Sequence, residues 1–249
     1  MDKDTLIFGG SCGGGHSELD LSAGLGLEGG GLTGVQRALK VRGSHYKHIV
    51  EFAGEGRLFD MSFDDFSGCF ARRQQVMFIV FDNQNYSSSG SHATNTTPVG
   101  ARTNVKRQGV DVPGKNVPLM FIFNGAQHVA TASPAYPRDY VKKIKNGFWR
   151  KPCLIHVLTP CITSWKYDPS ETITLSRLAV QTGLHPLWEY KDGVFKRTVQ
   201  VERRLPVEEY IKAQRRFTGV TNEQIEKLQA YADEMTAIVD KMEKGFSEG

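Results

Sequence analysis

The sequence has no C-x-x-C pair. Its four cysteines, Cys12, Cys69, Cys153 and Cys161, are scattered, which argues against the common zinc and dithiol motifs. Cys69 and Cys153 read as reduced thiols buried as small apolar groups. No apolar run approaches the roughly 20 residues that span a bilayer, so no membrane is expected. Met1-Asp2-Lys3-Asp4 lacks the basic start and apolar stretch of a secretory signal, which makes the cytoplasm the expected location. Charge of one sign is also scarce. The net charge is +4, with no basic cluster to suggest nucleic-acid binding. No internal repeat is visible.

What is present is a globular α/β pattern. A chain of 249 residues suits one large domain or two small ones. Residues 9–34 are glycine-rich, from Gly9-Gly10-Ser11-Cys12-Gly13-Gly14-Gly15-His16 to Gly29-Gly30-Gly31. A phosphate loop needs a strand before its glycines and a helix after them. Leu6-Ile7-Phe8 is a poor strand and no good helix follows His16, so a flexible or strained loop is expected. Val35, Ala38, Leu39 and Val41 then fit a short helix that Gly43 can end.

The next segment alternates. An apolar run from His48 to Ala53 predicts a strand, and Phe59, Phe63, Phe66 and Phe70 share one face of a helix over 59–73. The run Val76–Phe81 predicts a second strand. Strand, helix and strand in this order imply a βαβ unit with parallel strands. Ser87–Pro118 is polar throughout, and a loop that long inside a compact domain is usually functional. From Phe121 to Ser133 the alternation resumes, with a strand over 127–132. Pro137 opens a helix with Tyr140, Val141 and Ile144 inward. Cys153–Leu158 predicts a strand, Ser170 to Ala179 a helix stopped at Gly183, and Asp192-Gly193 a hairpin turn. Near the end, Thr221 and Gln224 form a capping box. Ile225, Leu228, Ala232, Met235, Val239 and Met242 follow at helical spacing, an apolar stripe that suits packing on its own domain or on a partner.

Two loops carry the chemistry. Gly54-Glu55-Gly56 ends the first strand, and Asp82-Asn83-Gln84-Asn85-Tyr86 ends the second. In open α/β sheets ligands bind beyond the carboxyl ends of strands. Two such ends delivering oxygen-bearing side chains predict a site for a hard cation and its phosphate. Mg²⁺ takes oxygen ligands in near-octahedral geometry and shares them with phosphates.

These residues, in order, resemble the thiamine-diphosphate-binding beta subunit of the 2-oxoacid:ferredoxin oxidoreductases, of the pyruvate synthase type. The resemblance is carried by Gly34–Gly43, Phe52–Gly56, Asp82–Tyr86, Thr97–Ala101, Val129–Ser133, His156–Cys161, Arg177–Leu184, Pro206–Tyr210 and Gln214–Phe217, and covers roughly 32–245. It implies a three-layer α/β fold: a mostly parallel sheet with helices on both faces, plus a C-terminal helix. It divides the chain into a glycine-rich segment 1–31 that reads as shortened, a cofactor domain 32–217 and a helical tail 218–249. It places thiamine diphosphate on Gly54, Glu55, Gly56, Asp82, Asn83, Asn85, Tyr86, Ser88, Ser89 and Gly90. Mg²⁺ falls to Glu55, Asn83 and the Asn85 carbonyl.

The implied activity is oxidative decarboxylation of a 2-oxoacid, pyruvate first among them, to acyl-CoA. The implied partners are alpha and gamma or delta type subunits, ferredoxin and coenzyme A. The glutamate that activates the cofactor is expected from a partner subunit, so no catalytic residue is named in this chain.

Three departures stand out. Glu55 replaces the family's Asp and adds a methylene, which predicts weaker Mg²⁺ binding. Ser88 and Ser89 replace Asn and Thr. Of the family's cysteine positions, Cys12 and Cys161 are matched as ligands of a [4Fe-4S] cluster, two thiolates where a cubane takes four. A second reading is therefore a catalytically impaired relative that serves as an assembly subunit. A third, a nicotinamide oxidoreductase, rests on the glycine loop alone.

Overall fold

The computed structural model describes residues 5–9, 21–22, 28–44 and 48–247. Among the described residues eight strands form one sheet: β1 (Thr5–Gly9), β2 (Leu21–Ser22), β3 (His48–Gly54), β4 (Val76–Asp82), β5 (His128–Ala132), β6 (Cys153–Leu158), β7 (Trp188–Lys191) and β8 (Val194–Arg197). Their order across the sheet is β2-β1-β3-β4-β6-β5-β7-β8. Pairings from β2 to β5 are parallel, and β7 joins β5 antiparallel. The central strands are near-continuous apolar runs, as expected where both faces of a parallel sheet are covered. All six residues of β6 are buried.

The helices are α1 (Glu28–Val41), α2 (Phe63–Ala71), α3 (Val117–Phe123), α4 (Pro137–Gly147), α5 (Ile162–Trp165), α6 (Thr172–Gln181), α7 (Val207–Ile211) and α8 (Asn222–Gly245). One sheet face packs Ile49, Ala53, Phe78 and Leu154 against Leu32 of α1, Phe66 and Phe70 of α2, Phe121 of α3 and Val239 of α8. The other face packs Val50, Met77, Ile155 and Val157 against Tyr140 and Ile144 of α4. Helices thus lie on both faces of a mostly parallel sheet. Leu228 and Ala232 of α8 enter a further cluster with Trp165, Leu175, Tyr210 and Phe217. The capping box forms, with the Thr221 side chain accepting from Gln224 N–H and the Gln224 side chain accepting from Thr221 N–H. The hairpin turn forms with Asp192 at φ +53° and Gly193 at +87°, the paired positive angles of a type I′ turn.

Four expectations are corrected. Leu6-Ile7-Phe8 belongs to a strand, because pairing with β3 from Thr5↔His48 to Gly9↔Phe52 supplies the stability its short run lacks. Gly29, Gly30 and Gly31 lie inside α1 rather than in a loop. An ideal Cβ at Gly29 would come within 1.8 Å of the Asp65 carbonyl oxygen, so close approach of α1 to α2 explains that glycine. The aromatic helix over 59–73 is two elements, a π-helical turn Gly56–Met61 followed by α2. On α4, Val141 is outward and Lys143 is buried. Lys143 Nζ donates to the Thr131 carbonyl (2.8 Å), Asp139 Oδ2 (2.5 Å) and Thr198 Oγ1 (2.7 Å), and these partners offset its desolvation.

Candidate functional site

β3 and β4 are parallel neighbours in register Gly54↔Phe81, so the loops that follow them leave the sheet side by side. Gly54 ends β3, and Glu55 stands at the N-terminal end of the π-helical turn, a feature common at functional positions. Glu55 is 1% exposed. Its Oε1 accepts from Asn85 N–H at 2.8 Å and its Oε2 from Asn83 N–H at 3.4 Å. Asn83 Oδ1 accepts from the same Asn85 N–H at 3.1 Å. Carboxylate and amide oxygens therefore converge on one backbone donor. The Asn85 carbonyl accepts from Ser87 N–H at 2.9 Å, while Asn85 Oδ1 is buried and has no partner among the described residues.

Tyr86 closes the gap between the loops. Its hydroxyl donates to the Gly56 carbonyl at 2.9 Å and lies 3.3 Å from Asp60 Oδ2. A Cβ on Gly56 would sit 2.3 Å from the Tyr86 ring, which is why glycine stands there. Ser88, Ser89 and Gly90 follow on an exposed 3-10 turn. Asn83 Nδ2 donates to Ser87 Oγ at 2.9 Å, and Ser87 acts to lower the Cys161 thiol.

Asp82 faces the other way. Its Oδ2 meets His156 Nε2 at 2.7 Å, and its Oδ1 accepts from Gln84 N–H and Thr96 Oγ1, each at 2.7 Å. Behind it lies a crevice of about 930 Å³, part of it open to solvent, reached by Thr131, His185 and Tyr231. The two carboxyls titrate apart. Burial, then the nearby Asp82 charge, pushes the Glu55 carboxyl well above its usual range. Burial also acts to raise Asp82, but the His156 hydrogen bond and charge, with Thr96 and Gln84 N–H, outweigh it and hold Asp82 below. Burial thus favours the protonated form of Glu55, while the His156 partnership favours the ionised form of Asp82.

The donor set fits a hard cation. Glu55, Asn83 and Asn85 offer oxygen only, as Mg²⁺ prefers, and the partnerless Asn85 Oδ1 is an acceptor awaiting a donor or an ion. No cluster of three His, Cys, Asp or Glu occurs among the described residues, so the set depends on amide and carbonyl oxygens. A four-thiolate cluster does not fit. Cys69 and Cys153 are sealed in the core, with burial raising both thiols, Cys69 to about 12. Cys161 is half-buried beside the loops; burial acts to raise its thiol, but bonds from Thr163, Ser164 and Ser87 bring it below the usual value. Cys12 lies outside the described residues.

Sequence reasoning missed the supports of the second loop. Trp165 Nε1 donates to the Asn83 carbonyl at 2.7 Å. Arg216 Nη2 donates to Gln84 Oε1 at 2.8 Å, and His156 holds Asp82. The visible signals were a histidine inside an apolar strand and a doubled arginine in Gln214-Arg215-Arg216-Phe217.

Comparison with known proteins names the class. Residues 16–157 match the thiamine pyrophosphate enzyme, C-terminal TPP binding domain. The pyruvate synthase subunit PorB of Methanothermobacter marburgensis is 41% identical over 207 residues, covering 81% of this chain and 72% of that protein. The ketoisovalerate oxidoreductase subunit VorB of Pyrococcus abyssi is 33% identical over 236 residues, covering 86% and 73%. A solved 2-oxoglutarate:ferredoxin oxidoreductase from Magnetococcus marinus superposes with a TM-score of 0.56 at 17% identity, over 70% of this chain and 67% of that one, a likeness of fold. The chain belongs to the thiamine pyrophosphate enzymes, and within them to the beta subunits of the 2-oxoacid:ferredoxin oxidoreductases. It is an oxidoreductase subunit with a cofactor-binding α/β domain. No described helix is long and apolar enough to cross a membrane.

Proposed function

We propose that the chain binds Mg²⁺ and thiamine diphosphate for the oxidative decarboxylation of a 2-oxoacid to acyl-CoA. The observation that carries this is the convergence of Glu55 and Asn83 oxygens on Asn85 N–H, beside the partnerless Asn85 Oδ1. Glu55, Asn83 and Asn85 hold the cation, and Gly54, Gly56, Asp82, Tyr86, Ser88, Ser89 and Gly90 shape the cradle for the diphosphate. When bound, the cofactor supplies the nucleophilic carbon and the electron sink for loss of CO₂. The chain's own residues bind and orient it. Asp82, ionised and clamped by His156 and Thr96, holds the second loop in place. Glu55 would hold the cation through the carboxyl oxygens that here accept from Asn83 and Asn85 N–H. Tyr86 keeps the two loops together.

Pyruvate is the preferred substrate on the strength of the PorB relatives. Subunits of alpha and gamma or delta type, with ferredoxin and coenzyme A, complete the reaction. Calorimetric titration of the full chain with thiamine diphosphate and Mg²⁺ tests the reading. A saturable heat that a Glu55→Ala variant loses is expected; no heat in the parent chain sinks it.

A second reading, an assembly subunit without turnover, is favoured by the burial of Cys69 and Cys153, which leaves at most Cys12 and Cys161 for a cluster. Iron analysis and acyl-CoA formation after reconstitution with partner subunits separate the two, since turnover excludes the second.

A further inference from the structure

Gln84 lies between the two asparagines of the cation loop and adopts φ +60°, a left-handed conformation that a residue with a Cβ holds at a cost. Each of its polar groups that the structure engages is tied down. Its N–H donates to Asp82 Oδ1 at 2.7 Å and its carbonyl accepts from Thr97 Oγ1 at 2.7 Å. Its side-chain Oε1 accepts from Arg216 Nη2 at 2.8 Å and from the Tyr210 hydroxyl at 3.4 Å.

Arg216 is 4% exposed and has no carboxylate within ion-pair distance among the described residues. A buried guanidinium is costly unless its donors and faces are engaged. Here Nε donates to Gln214 Oε1 at 2.8 Å and Nη2 to the Tyr210 hydroxyl at 3.0 Å. The guanidinium carbon also lies 3.9 Å from the centroid of the Trp165 ring. That same indole donates to the Asn83 carbonyl at 2.7 Å. One arginine thus reaches the loop twice, through the Gln84 side chain and through the ring that grips Asn83.

We propose that Arg216 is a positioning residue that presets the loop Asp82–Tyr86 for its cation, by holding Gln84 left-handed and Trp165 against the Asn83 carbonyl. This rests on the cation reading of the loop given above. The two groups placed by the clamp, Asn83 and Asn85, are those that face Glu55. Arginine is required because the role needs a flat face for the indole and a fork for the amide oxygen. Lysine keeps the charge but supplies neither.

The test is Mg²⁺ affinity of the full chain at saturating thiamine diphosphate, measured by calorimetry with melting curves alongside. Arg216→Lys is expected to weaken Mg²⁺ by about 10–100-fold, the usual effect of removing a group that orients metal ligands. Gln84→Ala, which keeps the strain and loses the clamp, is expected to do the same. Gln84→Gly loses the clamp and the strain together, and is expected to bind roughly tenfold tighter than Gln84→Ala, a difference in metal affinity of the size that ligand-orienting groups control. Added to Arg216→Lys, Gln84→Gly restores the part of the lost affinity that runs through Gln84 and leaves the part that runs through Trp165. A purely structural arginine predicts no such rescue.

Unchanged affinity in Arg216→Lys, or no rescue by glycine, overturns the proposal and leaves the cation reading standing. If the arginine variants melt below the assay temperature, the Gln84 pair decides, and equal affinities in Gln84→Ala and Gln84→Gly overturn it. If the parent chain binds no Mg²⁺, the cation reading fails and this proposal with it.

Discussion

Glu51 offers the sharpest quantitative prediction. It sits on β3 between Phe8 of β1 and Phe78 of β4, on the apolar face shared with Ile49 and Ala53. It is fully buried, and among the described residues neither carboxyl oxygen has a hydrogen-bond partner. Burial pushes its carboxyl from 4.5 up to about 8, so at neutral pH it is a protonated acid in the core. A raised folded value means that the folded state holds the proton more tightly. Stability linked to this group is therefore fully present below pH 4.5 and is lost as pH rises to about 8. At about 1.36 kcal/mol per unit, the span amounts to about 5 kcal/mol.

Glu51→Gln removes the titration, while keeping the size and polarity. The stability gap between parent and variant is expected to move in the variant's favour from pH 5 to pH 8. The pH 5 to 8 part of that span is about 4 kcal/mol, which for a chain of this length corresponds to roughly 8–16 °C in midpoint, at about 2–4 °C per kcal/mol. Groups other than Glu51 occur in both chains and cancel in the difference. Thermal or urea melts at pH 5, 6, 7 and 8 read it directly. A gap that stays level across this range refutes the assignment of an isolated, protonated Glu51. Glu51→Met is expected to exceed the parent in stability at pH 7, because an apolar side chain of similar length suits that environment.

Three more predictions follow from single contacts. Gly56→Ala forces the Tyr86 ring off the first loop, which is expected to cost about 1–3 kcal/mol by overpacking, and to weaken the Mg²⁺-dependent heat of thiamine diphosphate binding; an unchanged titration and melt would contradict the close approach. Lys143→Met removes a buried ammonium and leaves its three acceptors without that donor, and a loss of about 3 kcal/mol in urea unfolding is expected. Glu189 Oε1 meets both His128 Nε2 and Asn146 Nδ2 at 2.7 Å; burial acts to raise this carboxyl, but the His128 and Asn146 bonds outweigh it and bring it down to about 2. Its contribution is present above pH 4.5 and fades as pH falls through 2, so Glu189→Gln is expected to lose about 1.5–3 kcal/mol at pH 7 and to show less acid sensitivity than the parent.

Much of the architecture was legible because it is local. Val76–Phe81 and Cys153–Leu158 are apolar runs whose composition suits a buried parallel strand in any context. The Thr221 cap, the Asp192-Gly193 turn and the stripe of α8 each depend on residues within one or two turns of each other. Elements that take their stability from distant partners were not legible. β1 is a five-residue strand that stands because β3 pairs along its whole length. α3 is capped by Asn116, whose side chain accepts from Leu119 N–H, inside a polar stretch that read as continuous loop. Lys143 went inward against the periodicity of α4, because the Thr131 carbonyl and Thr198 on the sheet side offer its ammonium the partners that solvent would.

The candidate site divides in the same way. The order of the two loops, and the identities of Glu55, Asn83, Asn85 and Tyr86, are properties of the chain itself, since each loop follows directly from the strand before it. Their meeting depends on β3 lying beside β4. The grip on the second loop depends on still longer reach, with Arg216 bonded to Gln84 across 132 positions and Trp165 to Asn83 across 82. A sequence specifies which residues can donate, accept or bend left-handed. Closing such long loops is settled by the packing of the whole core, because the contacts that repay the lost chain entropy are spread over every element between them.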